Sequence, residues 1–123
     1  MSIDTDRLNE RVQTFVANIR HVQGAALVTV EGLPVVGTLP PGFNEARTAA
    51  MAAAAITIGD RIGQELQRGV VQHIWVEGTS GYSILALCGH ETLLLVLANL
   101  EAKQGLLTLE IRRLIEEIVP MLS

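Results

Sequence analysis

The run Leu93-Leu94-Leu95-Val96-Leu97 constrains the fold more than any other stretch of the chain. Read as a strand over Thr92 to Ala98, opened after Gly89-His90, it is apolar on both alternating faces. A strand of that kind has to be covered from above and below, so helices flank the sheet on both sides. With 123 residues the natural reading is one domain. That length buries roughly two-thirds of the surface the unfolded chain exposes.

The rest of the chain supplies the partners of this strand. Leu8, Val12, Phe15, Ile19 and Val22 recur at helical spacing, which predicts a helix over Thr5 to Val22, capped by Asp4 and Thr5 and stopped before Gly24. Ala25 to Val30 and Leu33 to Leu39 are β-rich runs joined by Glu31-Gly32, a tight-hairpin signal because such a turn needs positive φ. Pro34 lacks an N–H donor, which marks the second strand as an edge. After Pro40-Pro41-Gly42 a second helix runs from an N-cap at Asn44 to Arg68, with Gly69 as its stop. Strands follow over Val70 to Glu77 and Tyr82 to Cys88, and a last helix spans Gln104 to Val119, closed by Pro120. The expected fold is α+β, three layers αβα around a five-stranded, mainly antiparallel sheet, in the order αββαβββα.

Composition excludes several function classes. The net charge is −4 and lysine occurs once, at Lys103. The closest approach to a basic cluster, Arg112-Arg113, is flanked by Glu110, Glu116 and Glu117, so binding nucleic acid by phosphate neutralisation is not expected. No apolar run reaches the ~18 residues needed to cross a bilayer. The start, Ser2-Ile3-Asp4-Thr5-Asp6, is acidic and lacks the regions of a signal peptide. Cys88 is the only cysteine. These features agree with a chain in the reducing cytoplasm, without membrane insertion.

Residue patterns for catalysis and ligand binding are also missing. A nucleotide-binding loop ends in Gly-Lys-Ser/Thr, whereas Lys103 sits in Ala102-Lys103-Gln104-Gly105. No nucleotide is expected to bind directly. His21, His73 and His90 lack second ligands at metal spacing, so neither a metal nor a cofactor is expected. Cys88 reads as a small buried hydrophobe. A thiol enzyme using Cys88 and His90 lacks a third, orienting group. No carboxylate pair stands out for acid–base work, and no catalytic residue is assigned.

The 44–68 helix is the informative element. Rotation by 100° per residue places Met51, Ala55, Ile58, Ile62 and Leu66 on one stripe, read as the face toward the sheet. Ala46, Ala49, Ala50, Ala53 and Thr57 then fall on the opposite side. An alanine face needs no function, since alanine is the best helix former. Ile56, however, projects beside Ala52, Gly59 and Gly63, and each glycine costs about 1 kcal/mol inside a helix, which asks for a close backbone approach. The expected dimer contact is therefore Ala46, Ala49, Ala50, Ala53, Ile56, Thr57 and Gly63. It is extended by Val71, His73 and Trp75 if the 70–77 strand is an edge that pairs with its own copy. Trp75 reads equally well as a core residue.

The hairpin from Ala25 through Glu31-Gly32-Leu33-Pro34 to Val36 resembles the opening of Roadblock domains, the family that includes the dynein light chains of that name. The alanine-rich middle helix is similar to theirs. So are Leu94-Leu95-Val96-Leu97-Ala98-Asn99, Gly105-Leu106-Leu107 and the Leu109-to-Ile118 helix with Arg112-Arg113. The resemblance runs from Val22 to Ile118 and identifies residues 1–123 as a single Roadblock-like domain of the bacterial, GTPase-regulator type. It implies a homodimer, with middle helices antiparallel and third strands joining the two sheets. It also implies a non-catalytic partner or regulator of a small Ras-like GTPase, or alternatively a structural light-chain or scaffold subunit that ignores nucleotide.

Overall fold

A computed structural model describes residues 4–122; the part of the acidic start at Ser2 and Ile3 lies outside the described residues. The elements are α1 (Thr5–Asn18), β1 (Val22–Thr29), β2 (Pro34–Thr38), α2 (Glu45–Glu65), β3 (His73–Glu77), β4 (Tyr82–Cys88), β5 (Thr92–Ala98) and α3 (Gln104–Ile118), followed by a 3-10 turn over Val119–Leu122. The expected order αββαβββα holds. Every strand pairing is antiparallel, and the sheet order is β2-β1-β5-β4-β3.

β5 is thus the central strand, with Leu95 set between Ala26 of β1 and Leu85 of β4. Its alternation divides the core as its sequence requires. Leu94 and Val96 join the cluster beneath α1 and α3, which includes Leu8, Val12, Leu107, Leu114 and Ile118. Leu93 and Leu95 join the cluster beneath α2, with Val28, Ala49, Ala52 and Ile56. A strand buried on both faces is what fixes the three layers.

Local chemistry sets the ends of the elements. Asp4 accepts a hydrogen bond from the Arg7 amide at 3.1 Å, and Asn44 accepts one from the Arg47 amide at 2.8 Å, so both helices carry side-chain N-caps. α1 ends at Asn18, short of the expected Val22. His21 takes a φ of 73°, the left-handed conformation that interrupts a right-handed helix, and Val22 opens β1 opposite Ala98. Gly32 has a φ of 99° in the β1–β2 turn, as the hairpin reading requires.

α2 stops through Gln67 rather than Gly69. Gln67 has a φ of 56°, its amide donates to the Gln64 carbonyl at 3.2 Å, and the Arg68 amide donates to the Gly63 carbonyl at 2.7 Å. This is the paired capping pattern that a left-handed residue permits at a helix end. Between Arg68 and β3 the chain is irregular, so β3 starts at His73 instead of Val70. On the other side of the sheet, Arg11 of α1 meets Glu117 of α3 at 2.6 Å, and Leu107, Ile111, Leu114 and Ile118 are buried as their spacing predicts.

α2 lies on the sheet by a flank about 110° around the helix from the stripe its bulky residues predict. Ala49, Ala52, Ile56 and Gly63 are buried, whereas Met51, Ile58, Ile62 and Leu66 are 59%, 61%, 52% and 63% exposed. The physical reason lies in the space available. A Cβ on Gly59 would come 2.8 Å from Ile74 Cδ1, and one on Gly63 would collide with the Gly69 carbonyl oxygen. The glycines do serve a close backbone approach, but to their own chain between residues 69 and 74.

Candidate interaction surface

The correction to α2 redraws the expected contact. Ala49, Ile56 and Gly63 are committed to their own core, which removes them from any surface offered to a second chain. Ala53 is half-buried, its Cβ 3.5 Å from the Cβ position of Gly32 in the β1–β2 turn. Ala46, Ala50 and Thr57 are exposed. In the strand segment, Val71 packs toward the α2 cluster, while Trp75 packs toward the α1–α3 cluster. His73 is exposed. The anticipated residues therefore divide between a core, a hairpin contact and two sheet faces.

A different set converges. β3 has a single neighbour, β4, so its other edge presents unpaired N–H and C=O groups. Gly59 meets Ile74 of β3, and the helical rotation that puts Gly59 there turns Ile62 and Leu66 to the same flank, with Met51 and Ile58 just outside it. Val76 of β3 is 56% exposed. The apolar stripe of α2 and the open edge of β3 thus form one continuous surface. Each half-exposed aliphatic residue leaves roughly 1–2 kcal/mol of burial unrealised. Four of them hold several kcal/mol, a large share of the ~5–15 kcal/mol that stabilises a whole domain.

The sequence pattern did contain the decisive signal. Ala49, Ala52, Ile56, Gly59 and Gly63 recur at spacings of three, four, three and four, as regular as the bulky stripe. Small residues at that period allow a helix to sit close to a sheet already filled by leucines.

The same surface carries charge sparingly. Arg61 pairs with Glu65 at 3.1 Å, and Arg68 Nε donates to the Leu66 carbonyl at 2.9 Å. Arg47 is exposed at the start of the helix. Cys88 is fully buried, and burial pushes its thiol from an ordinary 9.0 up to about 12, the opposite of what a nucleophilic cysteine needs. Among the described residues no group of three or more His, Cys, Asp or Glu side chains is arranged to hold a metal. None of their helices is long and apolar enough to cross a membrane.

Residues 8–98 match the family model described as the Roadblock/LC7 domain. The chain belongs to the Roadblock/LC7 family. It is 28% identical over 100 residues to the uncharacterized protein MJ1340 of Methanocaldococcus jannaschii, a match covering 81% of this chain and 87% of that one. Among solved structures, the Roadblock/LC7 domain from Streptomyces avermitilis superposes with a TM-score of 0.85 at 25% identity, covering 91% of this chain and 94% of that chain. Myxococcus xanthus MglB superposes with a TM-score of 0.90 at 13% identity, covering 98% and 91%; at that identity the likeness is one of fold. The Roadblock/LC7 match takes in β1 through β5 and therefore includes the α2–β3 surface.

Proposed function

We propose that this Roadblock/LC7 protein is a non-catalytic homodimeric regulator that binds a small Ras-like GTPase. The observation that carries the pairing is the continuity of the exposed α2 stripe with the free edge of β3. Two copies related by a two-fold axis beside β3 join their sheets edge to edge and lay their α2 helices antiparallel. With the axis near Ile58, Met51 of one copy faces Leu66 of the other, and the stripes cover each other along their length. Apolar area leaves water and the last open ladder groups on that edge find partners in the same step.

The GTPase assignment rests on family resemblance. It accords with a surface built for proteins rather than small molecules, and with a thiol that is protonated and enclosed. The protein works in this reading by presenting a rigid composite face to the GTPase in the cytoplasm and altering its nucleotide cycle or position. A scaffold or light-chain role differs in one measurable respect, indifference to nucleotide. Purified protein is mixed with Ras-like GTPases from the same genome, each loaded with GDP or with a non-hydrolysable GTP analogue, and binding is measured by titration calorimetry. Binding that depends on the nucleotide supports regulation. Equal binding in both states supports the scaffold, and no binding to any GTPase removes the assignment.

A further inference from the structure

The second face of the sheet is incompletely covered. α3 lies over β4, where Gln104 Nε2 reaches the Tyr82 hydroxyl at 3.5 Å, and α1 lies over β1 and β2. Among the described residues no helix covers β3 on this side. The result is a groove of about 330 Å³ between β3 and α3. Trp75 and Ile84 form its floor, and Ile111, Arg112 and Ile115 form its α3 wall. Trp75 is half-buried against Tyr82 in an edge-to-face pair, with ring centroids 5.7 Å apart.

The charge of this groove departs from that of the chain. The protein carries a net −4, yet the only ionisable side chains lining the groove are His73 and Arg112. The other surface hollows of comparable size mix charges, Glu101 and Glu110 with Arg20 and Lys103 in one and Glu31 and Glu91 with His90 in another. Arg112 has no ion-pair partner among the described residues, whereas Arg11, Arg61 and Arg113 each have one. Glu77 shares the strand row of His73 and Trp75 but sits at the opposite end of β3. The groove is therefore apolar along its length and cationic at one end.

We propose that the groove receives an amphipathic helix of a protein partner, apolar toward Trp75 and Ile111 and bearing carboxylates where it meets Arg112. A sheet face left open beside a helix is the place where a layered fold accepts another helix. The carboxylate preference follows from the exposed Arg112 guanidinium at the rim and the absence of any carboxylate from the groove's lining. The groove belongs to one chain and does not require the proposed dimer. If the dimer forms through β3, two grooves lie side by side, with β4 strands three spacings or about 14 Å apart. The α3 helices are then too far apart for the 8–10 Å contact of packed helices, and the two grooves merge across the seam into one cleft with room for a single helix rather than two.

Trp75 is the only tryptophan, so its emission reports occupancy directly. The probes are two synthetic peptides of about 14 residues, or four helical turns. They share a leucine stripe and differ only in carrying glutamates or lysines on the polar face. The glutamate peptide should shift Trp75 emission saturably to the blue and bind about ten-fold more tightly than the lysine peptide. Arg112→Glu should reverse that preference. Ile58→Arg, a variant on the other face of the sheet, should leave the preference for the glutamate peptide unchanged whatever it does to the dimer. Light scattering on the same samples reads the dimer separately, so the two readings can fail independently. Equal binding of the two peptides, absence of a saturable Trp75 response, or an unchanged preference in Arg112→Glu each overturns the proposal.

Discussion

Gly63 sits beneath the carbonyl oxygen of Gly69, with no room for a side chain between them. The two are also joined by a hydrogen bond from the Gly69 amide to the Gly63 carbonyl at 3.2 Å. Gly59, one turn earlier, faces side chains alone, the flexible end of Ile74 and, at an ordinary 3.5 Å, Val71 Cγ2. Replacing either glycine with alanine gains about 1 kcal/mol of helix propensity. Only at Gly63 must backbone move to admit the methyl group. Gly63→Ala should therefore be destabilising by about 2 kcal/mol net, whereas Gly59→Ala should stay within about 1 kcal/mol of the parent. Urea unfolding at one fixed protein concentration distinguishes them, and equal effects would contradict the close-approach explanation of α2.

Ile58 is the residue on which the proposed pairing turns. It is 61% exposed in the single chain, so Ile58→Arg should leave the circular dichroism spectrum unchanged. Placed at the centre of an antiparallel helix contact, the same charge should halve the mass found by light scattering. A dimer that persists in this variant has its interface elsewhere.

Gln67 holds a left-handed conformation that costs a side-chain-bearing residue roughly 1 kcal/mol. Gln67→Gly should raise stability by about 0.5–1 kcal/mol, the relief being reduced by the extra freedom glycine has when unfolded. Thermal melts monitor the gain. A lower melting temperature would mean that the Gln67 side chain contributes more than its backbone costs.

Cys88 links stability to alkaline pH. Its folded value, about 12, lies above the ordinary 9.0, so the folded state keeps a proton that the unfolded state releases. The stability associated with that proton is fully present below pH 9 and is lost as pH rises from 9 toward 12. The urea midpoint of the parent should fall across this window more steeply than that of Cys88→Ala. At pH 8 the native thiol should react with a disulfide reagent only as fast as the protein unfolds.

Much of the architecture was legible from residue spacing. β4 and β5 begin and end where their punctuation places them, because Gly78 to Gly81 and Gly89-His90 leave little choice. The spacing of the last helix selects Leu107, Ile111, Leu114, Ile118 and Met121; α3 buries the first four, and Met121 lies half-buried in the 3-10 turn that follows. The errors arise where local pattern competes with tertiary space. Val22 continues the helical stripe of α1, yet the left-handed turn at His21 delivers it to a strand. In α2 two stripes of similar regularity compete, and bulk alone favours the wrong one. The sheet beneath α2 is already filled by Val28, Leu85, Leu93 and Leu95, so the helix that fits is the one that brings alanine and glycine. Of the expected contact residues, Ala49, Ile56 and Gly63 fell on the stripe that packs on the sheet for this reason. The edge position of β3 was readable only as a condition, since strand order is set by pairings far apart in sequence.

The central position of β5 has a consequence for how the chain is made. The β1–β2 and β3–β4 hairpins are each local and are able to form as they leave the ribosome. They share no strand pairing with each other. Until β5 is synthesised, the nascent chain holds two separate hairpins with open edges, and the pairing of Val22 with Ala98 has to wait for almost the whole sheet to appear. The interval between β4 and β5 is then the vulnerable one. Synthesis that stalls there leaves the facing edges of β1 and β4 exposed, and a chaperone that shields them has its task defined by one late strand.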